Sequence, residues 1–331
     1  MTMKQTLLSL ISAYGATGRE TNVANIISEM VKPYVDDITI DSMGNVIATK
    51  KGQPGGKRIM LAAHTDHIGF VVIGIEEKGF LRVSNVGGIS RNNSFTRRVV
   101  FENGVSGVLS HEIQDFNAGN FTMDKMFIDI GAKTREEAEA MVDLGDVAVY
   151  APDIFEMGDR VVGPAMDDRA GCAIVVETLK ALKDTKNEVI AAFTVQEEVG
   201  MRGAWAAAYS INPDVGIALD VTMCGDTPKG IHIAVNLGEG IAIKVMDSSV
   251  ICTPSVVKSL IDAAERSGAK YQREVLVGGG TDTTAIQLTR GGIPSGAISI
   301  PCRYVHSAAE TIDMNDFEAG VKTLVSFIEN Y

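Results

Sequence analysis

The stretch Thr194-Val195-Gln196-Glu197-Glu198-Val199-Gly200 sets two adjacent carboxylates after 187–193, an apolar run with the length and β-branched content of a buried strand. Ionised acids at the end of a buried strand are costly unless something pairs with them. Open α/β sheets carry their chemistry just beyond the carboxyl ends of their strands. In that position, two neighbouring acids suit a general base beside a metal ligand. Taken alone, Glu197-Glu198 reads better as a solvated turn, so the rest of the chain has to decide.

His64, Asp66, Asp167, Glu198, Asp220 and His306 share one property. Each lies at or just past the end of an apolar strand, or at the start of the helix that follows. Strand ends of one parallel sheet converge on one edge, so residues remote in sequence can meet there. Two imidazoles and three carboxylates, one of them bridging, can hold two divalent ions. This mixed nitrogen and oxygen set suits zinc, cobalt or manganese. Each residue also has a plainer reading. Asp167-Asp168 fits a helix N-cap with a second acid favoured by the dipole, and Asp220 fits a turn former, as Asp226 does. His232 reads as structural, and His111 with Glu112 and Asp115 as a solvated loop. A coincidence of ligand-type residues at separate strand ends is improbable, so the joint reading is a shared metal site.

The elements that must position these residues fall into two textures. Residues 4–14 and about 18–33 read as amphipathic helices, 38–41 and 46–49 as a hairpin, and 58–63 as a buried strand that delivers His64-Thr65-Asp66. From 69 to 160, short alternating strands follow one another at 70–75, 80–86, 97–101, 105–109 and 127–130, with one helix around 134–141. That pattern suggests a small barrel or sandwich. The α/β texture then returns. Helices are expected from Asp167-Asp168-Arg169, around 203–209, over 253–267 and over 314–330; strands are expected into Glu197-Glu198, at 215–220, 271–277 and 296–300. The fold class is α/β: one domain, 1–68 plus 160–331, with a mixed, largely parallel sheet flanked by helices. A small β domain at 69–159 interrupts it.

Composition limits the partners. The chain has 331 residues, 45% hydrophobic, and a formal charge of −12, which argues against nucleic acid or an anionic membrane surface. The amino terminus does not resemble a signal peptide, and no run approaches the roughly 18 apolar residues of a membrane span. Cys172, Cys224, Cys252 and Cys302 are widely spaced and read as buried free thiols in a reducing cytosol. The expected location is cytoplasmic.

Five segments resemble the tetrahedral aminopeptidase family, which covers glutamyl and deblocking aminopeptidases and the so-called cellulase M. They are His64-Thr65-Asp66, Gly163-Pro164-Ala165-Met166-Asp167-Asp168-Arg169-Ala170-Gly171-Cys172, Gln196-Glu197-Glu198-Val199-Gly200, Asp220-Val221-Thr222 and Pro301-Cys302-Arg303-Tyr304-Val305-His306-Ser307. They occur in the family's order and span essentially the whole chain. The resemblance implies a zinc-peptidase-like fold, a dinuclear centre, a β domain that pairs subunits, and dimers that assemble into hollow dodecamers. It implies that His64 and Asp220 hold one metal, Glu198 and His306 the other, and that Asp167 bridges them. Asp66 would orient His64, and Glu197 would be the general base.

Two departures stand out: His67 follows the His-x-Asp where the family has an acid, and Gly280-Thr281-Asp282-Thr283-Thr284 is bulkier than the family's Gly-Thr-Asp-Ala-Gly. His67, Thr283 and Arg303 are therefore candidates to line the substrate pocket. The implied activity removes N-terminal residues from short peptides. Rival readings are an amidohydrolase acting on acyl-amino acids, a glycosidase, and a non-catalytic assembly protein. A single Trp and few aromatics disfavour the glycosidase, and Glu197 beside a full ligand set disfavours the non-catalytic reading.

Overall fold

The computed structural model describes residues 1–89, 93–112 and 122–331. In chain order, α1 (Met3–Ile11) and α2 (Thr21–Val31) lead into β1 (Asp37–Ile40), β2 (Val46–Lys50) and β3 (Arg58–His64). Thr2 and Gln5 close a reciprocal capping box at the start of α1. Next come β4 (Gly69–Ile75), β5 (Leu81–Val86), β6 (Arg97–Phe101), β7 (Ser106–His111), β8 (Met126–Asp129), α3 (Arg135–Glu139) and β9 (Val147–Tyr150). The chain continues through β10 (Phe155–Met157), β11 (Arg160–Gly163), α4 (Met166–Ala181), β12 (Glu188–Thr194), α5 (Arg202–Ile211) and β13 (Val215–Met223). It ends with β14 (Ile241–Met246), α6 (Pro254–Ser267), β15 (Tyr271–Val275), α7 (Thr283–Leu288), β16 (Ser295–Cys302), β17 (Glu310–Asp313) and α8 (Met314–Asn330).

The main sheet has eight strands in the order β1-β2-β12-β3-β13-β16-β14-β15. Its centre, β12-β3-β13-β16, is parallel throughout. The β1–β2, β2–β12 and β14–β16 pairings are antiparallel. The carboxyl ends of the four central strands therefore share one edge, as strand-helix alternation predicts.

Alternation along β3 fixes the two layers. Ile59, Leu61 and Ala63 join the core under α1, α2, α4, α6 and α8, whereas Met60 and Ala62 face Ala207, Ile211 and Ile286 of α5 and α7. α4 is buried along most of its length, and the apolar face of α8 adds Phe317, Leu324 and Phe327 to the same core. Each such side chain stabilises the fold by about 1.5–3 kcal/mol.

The segment between β3 and β11 forms a closed barrel, β4-β5-β8-β7-β6-β9, so of the two β architectures expected from sequence the barrel is the one formed. It has its own core of Phe70, Val72, Leu81, Val83, Phe101, Ile128 and Tyr150. Phe70 and Tyr150 meet edge to face at 5.5 Å. β9, the strand that closes the barrel, was not anticipated: Val147-Ala148-Val149-Tyr150 is too short to alternate and is buried at every position. β10 belongs with β11 and β17 in a separate three-stranded sheet. His111 is not in a solvated loop; it ends β7, buried, and Glu112 pairs with Arg82 at 2.6 Å. Asp115 lies outside the described residues. All four cysteines are buried and free, and no helix among the described residues is long and apolar enough to cross a membrane.

Candidate metal centre

His64 is the last residue of β3, Glu197 and Glu198 follow β12 in a single helical turn, and His306 follows β16. Asp167 opens α4, in extended rather than helical backbone, joined to Asp168 by a cis peptide. Asp220 departs from expectation, because β13 continues three residues past it to Met223. β3 pairs with β13 only as far as Ala62 and Ala218, so Asp220 sits beyond the β3 ladder and reaches the same edge from within a strand.

These residues converge. His64 Nε2 is 2.9 Å from Asp167 Oδ1 and 3.9 Å from Asp220 Oδ1. His306 Nε2 is 3.2 Å from Asp167 Oδ2 and 3.5 Å from Glu198 Oε1. The two oxygens of Asp167 thus face the two imidazoles. Potential ligand atoms of Asp167, Glu198 and His306 lie within 4.8 Å of one another, as do those of His64, Asp168 and Asp220. In that second group the Asp168 oxygens accept from the backbone N–H groups of His64 at 3.2 Å and Gly171 at 3.0 Å. Both are engaged in holding the strand end against the helix start. The buried Oε1 of Glu198 has no hydrogen-bond partner.

Support comes from three more carboxylates. Asp66 Oδ1 accepts from Glu197 N at 2.9 Å, and its Oδ2 accepts from Glu198 N at 3.3 Å and Thr17 Oγ1 at 2.8 Å. The Asp66 carbonyl oxygen is 3.0 Å from His64 Nδ1; a carbonyl can only accept, so Nε2 is left to face the acids. Glu20 Oε1 accepts from Gln196 N at 3.2 Å, steadying the turn before Glu197. Glu310, at the start of β17, accepts from His306 N at 2.7 Å with Oε1 and from Asp167 N at 3.1 Å with Oε2. Arg169 is fully buried and donates to the carbonyls of Thr65 at 2.7 Å, Leu10 at 2.8 Å, and Ala13 and Gly15 at 3.3 Å, which fastens the end of α1 to the end of β3.

The electrostatics describe a site short of positive charge. Burial, with Asp167 next, pushes Glu198 up to about 8. Burial raises Glu197, with Asp282 and Glu198 adding to it, and burial with Asp167 raises Asp220. Burial works against both imidazoles, but hydrogen bonds to Asp167 outweigh it, raising His64 and lifting His306 to about 10. Burial likewise opposes ionisation of Asp167, yet the two imidazoles hold its carboxyl below the usual range. An unpartnered buried oxygen, crowded acids and an N/O donor set fit divalent cations, whose charge would reverse the upward shifts of the acids and imidazoles.

The site lies in a cavity of about 420 Å³. His64, Asp167, Glu197, Glu198, Asp220 and His306 line one end of it, and Thr222, Met223, Lys244, Leu276 and Thr281 line another part. Gly88, just after the barrel strand β5, also lines it, so the inserted segment contributes to the wall. A Cβ at Gly88 would stand 3.2 Å from the His306 ring.

A family model described as M42 glutamyl aminopeptidase matches residues 44–323. The chain belongs to the M42 glutamyl aminopeptidase family. Among the relatives, the lysyl aminopeptidase of Pyrococcus furiosus is 32% identical over 97% of this chain and 95% of its own. A solved aminopeptidase from the archaeon Desulfurococcus kamchatkensis is 37% identical, covers 99% of this chain and 95% of its own, and has a TM-score of 0.95. TET1 structures match at 32% identity over 100% of both chains. Their TM-scores are 0.91 for a dodecamer and 0.89 for the Pyrococcus horikoshii peptidase, which can assemble into a tetrahedron or a large octahedral shell. As an M42 member the chain is a hydrolase of the aminopeptidase type, and this metallopeptidase family implies divalent metal.

The three pocket candidates lie elsewhere. His67 lines a separate cavity beside Tyr14 and Tyr150, between the N-terminal segment and the barrel, and burial beside Arg169 pushes it down to about 3. Arg303 is held by Asp226 through two hydrogen bonds of 2.9 and 2.6 Å. Thr283 is fully buried and receives a 2.8 Å hydrogen bond from Thr281, which takes its place on the cavity wall. Sequence reading missed Glu310, Thr17, Glu20 and Lys244. Of these only Lys244 carried a signal: a charge inside the apolar run Ile241-Ala242-Ile243-Lys244-Val245-Met246.

Proposed function

We propose that the protein is a dinuclear metal-dependent aminopeptidase that removes N-terminal residues from short peptides. The observation carrying this reading is the position of Asp167 between His64 and His306, with Asp220 near the first imidazole and Glu198 near the second. His64 and Asp220 would hold one ion and Glu198 and His306 the other, with Asp167 shared between them; zinc, cobalt and manganese all suit the set. Two bound ions would supply Lewis acidity at the scissile carbonyl and make water easier to deprotonate.

Glu197 is the general base. It stands beside Glu198 in the same turn, lines the cavity, and is held through its backbone N–H by Asp66. Its carboxylate takes a proton from the attacking water. When the C–N bond breaks, it returns that proton to the leaving amine. Without a cation, burial raises the Glu197 carboxyl well above the usual range, and bound ions would lower it so that it is ionised when water attacks. Asp66 serves as positioning residue for His64, Glu197 and Glu198.

We further propose that residues 69–159 act as an inserted assembly domain and that the chain forms homo-oligomers. The dodecameric and tetrahedral TET1 structures support this. The expected setting is cytoplasmic.

The test is release of free amino acids from a panel of X-Ala-Ala peptides by protein as isolated, after chelation, and after re-addition of zinc, cobalt or manganese. Activity that chelator abolishes, metal restores and N-acetylation of the peptide blocks is the expected result. No release with any metal, while two ions per chain are bound, would refute the peptide reading and point to an acyl-amide substrate.

A further inference from the structure

Asp220 is the proposed ligand that sits inside a strand rather than at its end, and the strand carries it past a neighbour. β13 pairs with β3 only as far as Ala218, so from Leu219 onward it is held on one side, by β16. Asp220 turns a carboxylate oxygen back on its own chain: Oδ1 accepts from Val221 N at 2.7 Å. The peptide unit between Asp220 and Val221 therefore aims the carboxylate. What fixes that unit is whatever fixes the end of β13.

Thr222 lies two residues beyond Asp220 and so shares its face of the sheet. It is buried, and its hydroxyl donates to Glu274 Oε1 at 2.9 Å. Glu274 belongs to β15, which β16 and β14 separate from β13 in the sheet order. It is fully buried opposite Lys244 in the β14–β15 register, and the same oxygen accepts from the Lys244 ammonium at 2.7 Å. The ammonium also lies 3.2 Å from Asp247 Oδ2, and Asp247 Oδ1 accepts from Ser249 N at 2.8 Å and Val250 N at 2.9 Å. The hydroxyl thus reaches a charged pair that is anchored independently of β13. Hydrogen bonds to charged groups are among the stronger polar contacts in proteins. Lys244 already meets the charge of Glu274, so the contact serves β13 more than it serves Glu274.

We infer that Thr222 is a positioning residue: its hydroxyl ties the one-sided end of β13 to the Glu274–Lys244 pair and so holds Asp220 in place to bind metal. The inference rests on the reading of Asp220 as a metal ligand.

The experiment is a cycle of wild type, Thr222→Val, Asp220→Asn and the double variant, with Thr222→Ser as rescue. Valine keeps the shape of threonine without the hydroxyl, and serine keeps the hydroxyl. The readouts are stepwise zinc affinity, by competition with a chromogenic chelator, and the visible absorption of cobalt-loaded protein; circular dichroism checks folding. Thr222→Val is expected to weaken one of two ions by about tenfold, the low end of the range for residues that orient metal ligands, and to alter the cobalt spectrum. Thr222→Ser restores both. In the Asp220→Asn background the valine change adds no further loss, because a residue that acts through Asp220 has nothing left to hold.

Zinc affinity of Thr222→Val within about threefold of wild type overturns the proposal. So does an equal loss with and without the Asp220 carboxylate, which would place the effect of the hydroxyl elsewhere. If Thr222→Val does not fold, Lys244→Met/Glu274→Met removes the far end of the tether from outside β13 and takes its place in the cycle. A wild type that binds a single ion refutes the dinuclear reading, and the cycle then tests the tether on that ion. If Asp220→Asn weakens no ion, Asp220 is not a ligand and the proposal falls with it.

Discussion

Glu310→Gln tests whether the candidate centre is held together by a residue that is not among its proposed ligands. Glu310 is 2% exposed, and its two oxygens accept from the backbone N–H groups of His306 and Asp167. His306 needs such a hold because its φ is +60°, a left-handed conformation that costs a non-glycine residue roughly 1–2 kcal/mol. Without a cation, burial and Asp167 push Glu310 up to about 8; a cation beside Asp167 removes that repulsion and leaves both oxygens free to accept. Glutamine keeps the shape but has one acceptor oxygen, and its NH2 turns against one of the two N–H groups.

One hydrogen bond to a charged group is lost, worth about 1.5–3 kcal/mol. If about 2 kcal/mol of that falls on the metal-holding arrangement, affinity drops roughly thirtyfold. This lies inside the tenfold to hundredfold range typical of residues that orient metal ligands. The assay is zinc affinity by competition with a chromogenic chelator, with circular dichroism as a check on folding. Asp282→Asn is the control. Asp282 is also a buried acid near Glu197, but it accepts from Thr194 Oγ1 and holds no backbone group of a proposed ligand. Zinc affinity of Glu310→Gln within threefold of wild type, or no weaker than that of Asp282→Asn, would refute the positioning argument.

Glu197→Gln is expected to retain metal and lose turnover by about two to four orders of magnitude, because the proposed general base is removed while Glu198 is kept. Near-native turnover with full metal content would sink the assignment. Gly88→Ala should weaken metal binding severalfold, since its Cβ would stand 3.2 Å from the His306 ring; unchanged affinity would show that the barrel wall gives way freely. Metal loading at pH 7 should expel at least two protons, because without a cation His306 at about 10 and Glu198 at about 8 both hold theirs, and the raised His64 and Asp220 add to them. Affinity therefore rises with pH between those values and falls on acidification, and calorimetry in two buffers of different ionisation enthalpy counts the protons. Arg169→Met takes its donors from four buried carbonyl groups, of which Leu10 and Gly15 keep backbone donors from Ala13 and His67; stranding the carbonyls of Thr65 and Ala13 should cost about 1–3 kcal/mol each, read as a fall in Tm, whereas an unchanged Tm would contradict the stapling role.

The parallel centre of the sheet and the meeting of His64, Asp167, Glu198, Asp220 and His306 were legible in the sequence for one reason. Each is a polar residue where an apolar run stops or nearly stops, and the strand period fixes where such residues go. Asp220 met the others although β13 overruns it, because what matters is where β3 stops beside it. The supports were not legible. Glu310 begins the four-residue strand β17, too short for a pattern, and its role depends on pairing with β11 beside Gly163. Thr17 and Glu20 belong to a turn whose relation to Asp66 and Gln196 exists only after α1 docks on the sheet. His67, Thr283 and Arg303 were misplaced because adjacency in sequence to a motif does not say which way a side chain points. His67 follows Asp66 directly yet lines the cavity on the barrel side.

The division of labour among the acids follows from what each oxygen faces. Asp66, Asp168 and Glu310 spend their oxygens mainly on backbone N–H groups of His64, Asp167, Gly171, Glu197, Glu198 and His306. Asp167 and Glu198 instead present oxygens to the imidazoles or to the cavity, and so does Asp220, whose Oδ1 also accepts from Val221 N at 2.7 Å. Accepting backbone N–H groups fixes Asp66, Asp168 and Glu310 and meets part of their charge, but burial and the neighbouring acids still push Asp168 up and Glu310 up to about 8. Among the acids that face the cavity, Asp167 keeps its charge against the two imidazoles, whereas burial and Asp167 push Glu198 and Asp220 up, a shift that a cation would reverse. On the proposed reading, Asp66, Asp168 and Glu310 position the acids that would hold cations, and Glu197, beside Glu198 in the same turn, stands where it would take up and return a proton.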